Sequence, residues 1–268
     1  MIKLVATDMD GTFLKEDGTY NKQRLAKLLP KLEEKGIVFA VSSGRSLLAI
    51  DELFKEHLDK IAVIAENGSL VQYKGELIFA DFMTKEQYSE IAQTILINPY
   101  YVQTGTLFSG QKAAYILEGA SQAYVQKMNH YYEKVKLISS FDEMDHDSIF
   151  KVTTTFTSET VLEGSDWLDK RIPYVTAVTT GFESIDIILE EVNKGFGLDH
   201  LCQALQISPD QVIAFGDNFN DLQMLDYAGT AIATENARLE IKAVADQLIG
   251  HCNQESVLEY LERLVENE

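Results

Sequence analysis

A chain of 268 residues with 46% hydrophobic content is long enough for one large or two modest domains, each with a full core. Its 42 acidic against 23 basic side chains leave a formal charge of -19, which argues against nucleic acid or an anionic membrane as a partner. Any anionic substrate then needs local help from a metal, a lysine or backbone N–H groups. Cys202 and Cys252 stand far apart in no ligand-like spacing, so free thiols in a reducing cytosol are the simplest reading. The apolar run at the start is five residues long and ends in charge, and no stretch approaches a membrane span, which predicts a soluble cytoplasmic protein.

In chain order, Ile2 to Ala6 is a short β-branched run that predicts a buried strand. Asp8 and Asp10 stand one residue apart where it ends, and Gly11 permits a sharp turn. In a continuing strand, side chains two apart share a face, so both carboxylates can point into one site. Two such like charges call for a cation or a shared proton, and a divalent metal is the simplest relief. A calcium-loop pattern fails, because Gly11 comes fourth instead of sixth and no Glu stands twelfth. A plain surface turn stays open at this point.

Leu25, Leu28, Leu29 and Leu32 fall at helical spacing with Gly36 as a stop, and Pro30 predicts a kink. Ile37 to Val41 is a second strand-like run ending in Ser42-Ser43-Gly44-Arg45. A helix carrying Leu47, Leu48, Leu53, Phe54 and Leu58 follows. Ile61 to Ala65 ends in Glu66-Asn67-Gly68, and this alternation predicts parallel β-α-β units. Ser69–Tyr73 and Glu76–Phe82, joined through Lys74-Gly75, read as a hairpin. From Thr84 to Leu189 the composition shifts. Strands at Ala113–Leu117, Phe150–Phe156 and Tyr174–Thr179 alternate with helices near 85–97, 121–133 and 158–170. The opening rhythm returns with a helix starting at Asn193-Lys194-Gly195. A strand at Val212–Phe215 then ends in Gly216-Asp217-Asn218-Phe219-Asn220-Asp221, a short strand follows at Thr230–Ala233, and helices run to the end. The expected organisation is an α/β core from residues 1–83 and 190–268, with residues 84–189 an inserted α+β domain.

Three of these runs end in polar, turn-forming clusters. In an open parallel sheet the strand C-terminal ends share one edge where ligands bind, so residues scattered in sequence are expected to meet there. The Ser43 hydroxyl and the N–H groups that open the next helix can hold a phosphate oxygen, or Ser42-Ser43 can simply cap that helix. Lys194 at a helix start adds a mobile positive charge where the dipole already favours an anion. Asp217 and Asp221 offer a further metal carboxylate and a partner for Lys194, unless the segment is merely an acidic loop.

Asp8-Met9-Asp10-Gly11-Thr12, Ser43-Gly44-Arg45, Asn193-Lys194-Gly195 and Gly216-Asp217-Asn218-Phe219-Asn220-Asp221 resemble, in order, the four motifs of the haloacid dehalogenase superfamily. The resemblance is to its Cof-type phosphatases and covers the whole chain. Thr7–Leu14, Ala65-Glu66-Asn67-Gly68 and Thr180-Gly181-Phe182 further resemble the sugar-phosphate phosphatases of that group. Gly250-His251-Cys252-Asn253 departs from the pattern, standing where such proteins often have an Asp-rich turn.

The resemblance implies a doubly wound, Rossmann-like parallel-sheet core with an inserted cap, and a Mg2+-dependent phosphomonoester hydrolase that works through an aspartyl-phosphate. It implies Asp8 as nucleophile and Asp10 as acid and then base. Mg2+ would be held by Asp8, the Asp10 main-chain carbonyl and Asp217. Ser43, the Gly44 N–H, Lys194 and Asn220 would bind the phosphoryl group, and Asp221 would orient Lys194. Phe182 and Glu183 are the cap candidates for leaving-group contacts. The implied partner is a small phosphorylated metabolite, a sugar phosphate first. Two alternatives stand beside it: a phosphotransferase or phosphomutase using the same intermediate, and a non-catalytic sensor, against which the presence of both Asp8 and Asp10 argues. Neither the physiological sugar nor the oligomeric state is legible in the sequence.

Overall fold

A computed structural model describes residues 1–102, 105–179 and 183–267. The chain opens with β1 (Leu4–Asp8), five residues buried throughout. Asn21 then caps α1 (Lys22–Glu34), its side chain accepting the Arg24 N–H at 3.0 Å. The helix turns Leu25, Leu28, Leu29 and Leu32 inward and is unbroken through Pro30, which forgoes only the amide bond its own nitrogen cannot make. β2 (Val38–Ser42), α2 (Leu47–Phe54) and β3 (Ala62–Ala65) follow, and β4 (Leu70–Tyr73) and β5 (Glu76–Ala80) form the expected hairpin. By its contacts the chain divides into two compact units, residues 1–43, 54–80 and 193–268, and residues 44–53 and 81–192. The segment 44–53, which the sequence reading leaves with the first unit, groups with the second.

The second unit begins at α3 (Lys85–Leu96), where Thr84 and Gln87 cap one another's backbone reciprocally. It continues through β6 (Thr106–Gly110), β7 (Ala114–Leu117), α4 (Gln122–Tyr131), β8 (Val135–Ile138), β9 (Ile149–Thr155), α5 (Val161–Asp169), β10 (Val175–Thr179) and β11 (Ser184–Leu189). Among the described residues these strands form one sheet in the order β10-β11-β9-β6-β7-β8, antiparallel except for β7 beside β8. Tyr88, Ile91 and Ile95 of α3 and Leu168 of α5 share a cluster with Phe108, Val152, Ile185 and Ile187. Tyr124 and Met128 of α4 instead join Leu107, Ala114 and Ile116. Leu107 and Phe108 are consecutive, so the alternation of a strand puts the two clusters on opposite faces.

The three expected strands of this unit appear, with β6, β8 and β11 beside them. Each missed strand hides its pattern: β6 carries Ser109 and Gly110, β8 is four residues with a half-exposed face, and Asp186 interrupts β11. Asp186 is tolerated inside the sheet because Lys151 Nζ lies 2.8 Å from one carboxylate oxygen and the Thr153 hydroxyl donates to the other at 2.7 Å.

The first unit resumes with α6 (Lys194–Leu205), β12 (Val212–Gly216), α7 (Leu222–Tyr227), β13 (Thr230–Thr234), α8 (Leu239–Val244), β14 (Gln247–Ile249) and α9 (Ser256–Asn267). Its sheet runs β14-β13-β12-β1-β2-β3-β4-β5, parallel from β14 to β3 and antiparallel along β3, β4 and β5. Ala6, Ala40, Ala62, Ala214 and Ala233 pack against Leu198, Leu201, Met224 and Ile241, small strand residues letting the helices lie close. Strand order reverses at β1, which has β2 on one side and β12 on the other, so the turns after these strands open at one edge. Among the described residues no helix is long and apolar enough to cross a membrane.

His57, just past α2, is only 3% exposed, and neither ring nitrogen has a hydrogen-bond partner. Burial, with Lys60 adding to it, lowers its pKa, so the folded protein keeps the ring neutral while the unfolded chain protonates it below about pH 6.5. The stability at stake is whole above that value and falls away as pH drops through the window toward the folded pKa, by at most about 1.4 kcal/mol per pH unit. His57→Phe is expected to shrink the loss of unfolding free energy between about pH 7.5 and 5.5, read from urea melts at both. An unchanged difference would show that His57 is not the group that titrates.

Candidate active site

Asp8 closes β1 opposite Ser42 of β2 and is 5% exposed. Its Oδ1 lies 2.5 Å from Lys194 Nζ, and the same nitrogen lies 2.5 Å from Asp221 Oδ1. Lys194 is the first residue of α6, whose N-cap Asn193 accepts the Phe196 N–H at 2.9 Å. Gly68, at φ +109°, brings its α-carbon against the Asn193 carbonyl where a side chain has no room, so the turn after β3 seats the start of α6. Asp221 ends a short 3-10 turn at Phe219–Asp221, and its Oδ2 accepts the N–H groups of Asp217 at 2.9 Å and Asn218 at 3.0 Å. That carboxylate thus folds its own loop while holding the lysine. Asp217 Oδ1 accepts the Thr12 hydroxyl at 3.1 Å, tying the loop after β12 to the loop after β1. Gly11, at φ +87°, completes the join: a Cβ there would stand 2.5 Å from Asp217 Oδ2.

Four of the expected residues, Asp8, Lys194, Asp217 and Asp221, are therefore brought into one cluster. Ser43 lies directly after β2, buried, its N–H donating to the Ile64 carbonyl at 2.9 Å and its carbonyl accepting from Asn67 N at 3.1 Å. Gly44 follows it as the first residue of the segment that groups with the second unit. Asp10 is exposed in the turn after β1 and bridges to Leu14, and Asn220 is half-buried one residue before Asp221. Glu183 is half-buried in the turn before β11, whereas Phe182, like Thr180 and Gly181, lies outside the described residues. Sequence reasoning did not single out Thr12, Glu66, Asn67 or Asn236 as site residues. Glu66 and Asn67 are buried at φ 52° and 60°, a conformation that side chains rarely adopt. Their signal was available, since Glu66-Asn67-Gly68 is the polar cluster ending a third parallel strand. Asn236 carried none; its amide donates to the Gly11 carbonyl from 225 residues away.

A family model described as haloacid dehalogenase-like hydrolase matches residues 5–261. The chain belongs to the haloacid dehalogenase-like hydrolases. It is 32% identical over 268 residues to a 5-amino-6-(5-phospho-D-ribitylamino)uracil phosphatase of Escherichia coli, across 100% of this chain and 97% of the relative. An HMP-PP phosphatase of Cronobacter sakazakii is 24% identical over 266 residues, across 97% of this chain and 95% of that one. A solved structure from Streptococcus mutans matches with a TM-score of 0.90 at 28% identity, covering 99% of this chain and 100% of that chain. This hydrolase is accordingly an enzyme of the phosphatase type, a phosphoric monoester hydrolase.

The electrostatics of this hydrolase's cluster are lopsided: three carboxylates, two buried and that of Asp217 half-buried, face one ammonium. Burial raises the pKa of Asp8 well above the usual carboxylate range, and the charge of Asp221 adds to it against the pull of Lys194. Burial first and then Asp221 push Asp217 up to about 6. Burial alone would lower Lys194, yet the charges of Asp221 and Asp8 hold it well above the ordinary lysine value. Asp8, Asp217 and Asp221 each present an oxygen within 4.8 Å of the others. Asp221 is already engaged by Lys194 and two amides, while Asp8 Oδ2 is buried with no hydrogen-bond partner. The spare capacity therefore sits on Asp8 and Asp217, an all-oxygen set with excess negative charge that fits a hard divalent cation. Asp10 contributes no side-chain oxygen to this group.

A ligating carboxylate must be ionised, and Asp217 is protonated below about pH 6 in the metal-free protein. A cation held by Asp217 would therefore bind fully well above that value and more weakly as pH falls through it. Titration of the apo-protein with Mg2+ by calorimetry at about pH 7.5 and 5.5 is expected to give about fourfold weaker binding at the lower pH from Asp217 alone. Equal affinities at the two pH values would mean that Asp217 is not a ligand.

Proposed function

We propose that this hydrolase is a Mg2+-dependent phosphatase of small phosphomonoesters, sugar phosphates and phosphorylated polyols first among them, acting through a phosphoryl group carried on Asp8. The observation that carries the reading is the Asp8 carboxylate, one oxygen held by Lys194 and the other buried and unbonded. A nucleophile needs such a fixed carboxylate with a lone pair kept free of donors. Asp8 attacks phosphorus as the bond to the leaving alcohol breaks, and Asp10 delivers its proton to that departing oxygen. Asp10, now ionised, takes a proton from water as the water attacks phosphorus, which frees inorganic phosphate and restores Asp8. Lys194, Asn220, the Ser43 hydroxyl and the Gly44 N–H bind the phosphoryl oxygens, with Asp221 keeping Lys194 in place. Asp8, Asp217 and the Asp10 carbonyl would hold Mg2+, which supplies positive charge against the transferring phosphoryl oxygens.

The substrate class draws support from the relative in Escherichia coli, whose name specifies a phosphate on a ribityl chain. We assign residues 84–189 to the selection of the leaving alcohol, with Phe182 and Glu183 as its candidate contacts.

Phosphate release from a panel of pentose and hexose phosphates, the phosphorylated ribitylaminouracil and a nucleoside monophosphate tests the substrate class. The sugar and ribityl esters are expected to exceed the nucleotide in kcat/KM by at least about tenfold. An isomerised sugar phosphate without free phosphate would make the enzyme a mutase. Asp8→Asn is expected to abolish release while the thermal transition persists, since an amide cannot form the acyl phosphate. Asp10→Asn is expected to lose about 10²–10⁴-fold on sugar phosphates and much less on nitrophenyl phosphate, whose leaving group needs no proton. An equal loss on both would remove Asp10 from the acid role.

A further inference from the structure

The turn between β13 and α8 carries no chemistry in the mechanism above, yet it touches both loops that carry the acidic cluster. Asn236 Nδ2 donates to the Gly11 carbonyl at 2.6 Å, and the Thr234 hydroxyl reaches the same oxygen at 3.4 Å. Asn236 Oδ1 in turn accepts the Cys252 N–H at 3.0 Å, within the His251-Cys252-Asn253 segment that departs from the family pattern. The orientation of the amide is dictated by its partners, because a carbonyl can only accept and a backbone N–H can only donate. Two residues on, Arg238 N donates to the Asp217 carbonyl at 3.0 Å, and Arg238 Nε donates to Asn218 Oδ1 at 2.8 Å. The Arg238 guanidinium also lies over the Phe219 ring, 4.8 Å from its centroid. One four-residue turn, residues 235–238, thus grips the loop after β1 with its Asn and the loop after β12 with its Arg. All of these residues belong to the first unit.

We infer that Asn236 is a positioning residue for cation binding, holding the Gly11 carbonyl so that the loop bearing Asp8 and Asp10 keeps its register against Asp217. The inference rests on the reading that Asp8, Asp217 and the Asp10 carbonyl hold the metal. Its physical basis is the close approach already described. Gly11 lies so near Asp217 that an added Cβ would stand 2.5 Å from its Oδ2, so a displacement of the Gly11 main chain carries the adjoining Asp10 carbonyl with it and crowds the Asp217 carboxylate at once. Gly11 has no side chain with which to resist that displacement, and its carbonyl is the atom by which the turn after β13 holds it. Asn236 spans the gap from Gly11 to the Cys252 amide with a donor and an acceptor on two separate atoms, whereas a carboxylate has no donor and a hydroxyl puts both on one atom.

Mn2+ binding to the full-length apo-protein, followed by the paramagnetic resonance signal of free Mn2+, tests this without relying on turnover. Asn236→Ala is expected to raise the Kd about tenfold or more, the usual consequence of removing a group that orients a metal-binding element. Asn236→Asp keeps the acceptor for Cys252 and loses the donor to Gly11. By charge alone its carboxylate would tighten a cation site, whereas loss of positioning loosens it, and a raised Kd is expected. It also decides by the same threshold should Asn236→Ala fail to fold. Asn253→Ala removes the bonds to Glu16 outside the bracket and is expected to leave the Kd within about twofold, even if the melting temperature drops. A folded Asn236→Ala that binds Mn2+ within about twofold of wild type, or an Asn236→Asp that binds more tightly, overturns the inference. Failure of wild type itself to bind Mn2+ overturns the metal reading beneath it, a result distinct from either.

Discussion

The Lys194 ammonium, 1% exposed and shared between Asp8 and Asp221, is the interaction on which the first unit's functional edge depends. A lone charge at that depth would be expelled or neutralised, since burial disfavours the ionised form. Here the ammonium persists because two carboxylates meet it at 2.5 Å each, and the carboxylates persist partly because it meets them. The three groups come from β1, the start of α6 and the turn after β12, so none can be satisfied until all three segments are in place. Removing one member leaves a buried charge without its partner, which is costlier than never having had the pair.

The same cluster explains why the surrounding loops are built from unusual backbone. Gly11 at φ +87° lets the chain pass close to Asp217, and Gly68 at φ +109° lets the turn after β3 lie against Asn193, one residue before the lysine. Asp221 folds its own loop by accepting two of its amides, which leaves only one oxygen for Lys194 and none to spare. What is left over is a buried oxygen on Asp8 and the carboxylate of Asp217, whose pKa climbs first through burial and then through the charge of Asp221. A cluster with this excess of negative charge could hold a cation.

The second unit solves the problem of buried charge differently. Lys151 and Asp186 are almost fully buried on neighbouring strands of its sheet, paired at 2.8 Å, with the Thr153 hydroxyl on the other carboxylate oxygen. A complete pair of this kind is neutral and holds together as an internal element. The contrast is with the acidic excess around Asp8, where three carboxylates share one ammonium.

Much of this was legible in the sequence. Apolar runs at Ile2–Ala6, Ile37–Val41, Ile61–Ala65 and Val212–Phe215, each followed by a polar turn, determined the parallel strands and the edge at which their polar turns gather, because strand periodicity and turn propensity are local properties. Asp8, Lys194, Asp217 and Asp221 could be named for the same reason. Only the tertiary structure decided that β6, β8 and β11 are strands, since their patterns are broken by Gly110, Lys136 and Asp186, and pairing partners far along the chain compensate for those breaks. It alone decided that Asp221 spends both oxygens on its own loop and on Lys194, leaving the free carboxylate capacity to Asp8 and Asp217. The same holds for Thr12 on Asp217 and Asn236 on Gly11. These are hydrogen bonds between residues 205 and 225 positions apart, and no local periodicity encodes a distance that exists only once the sheet has brought its strand ends together.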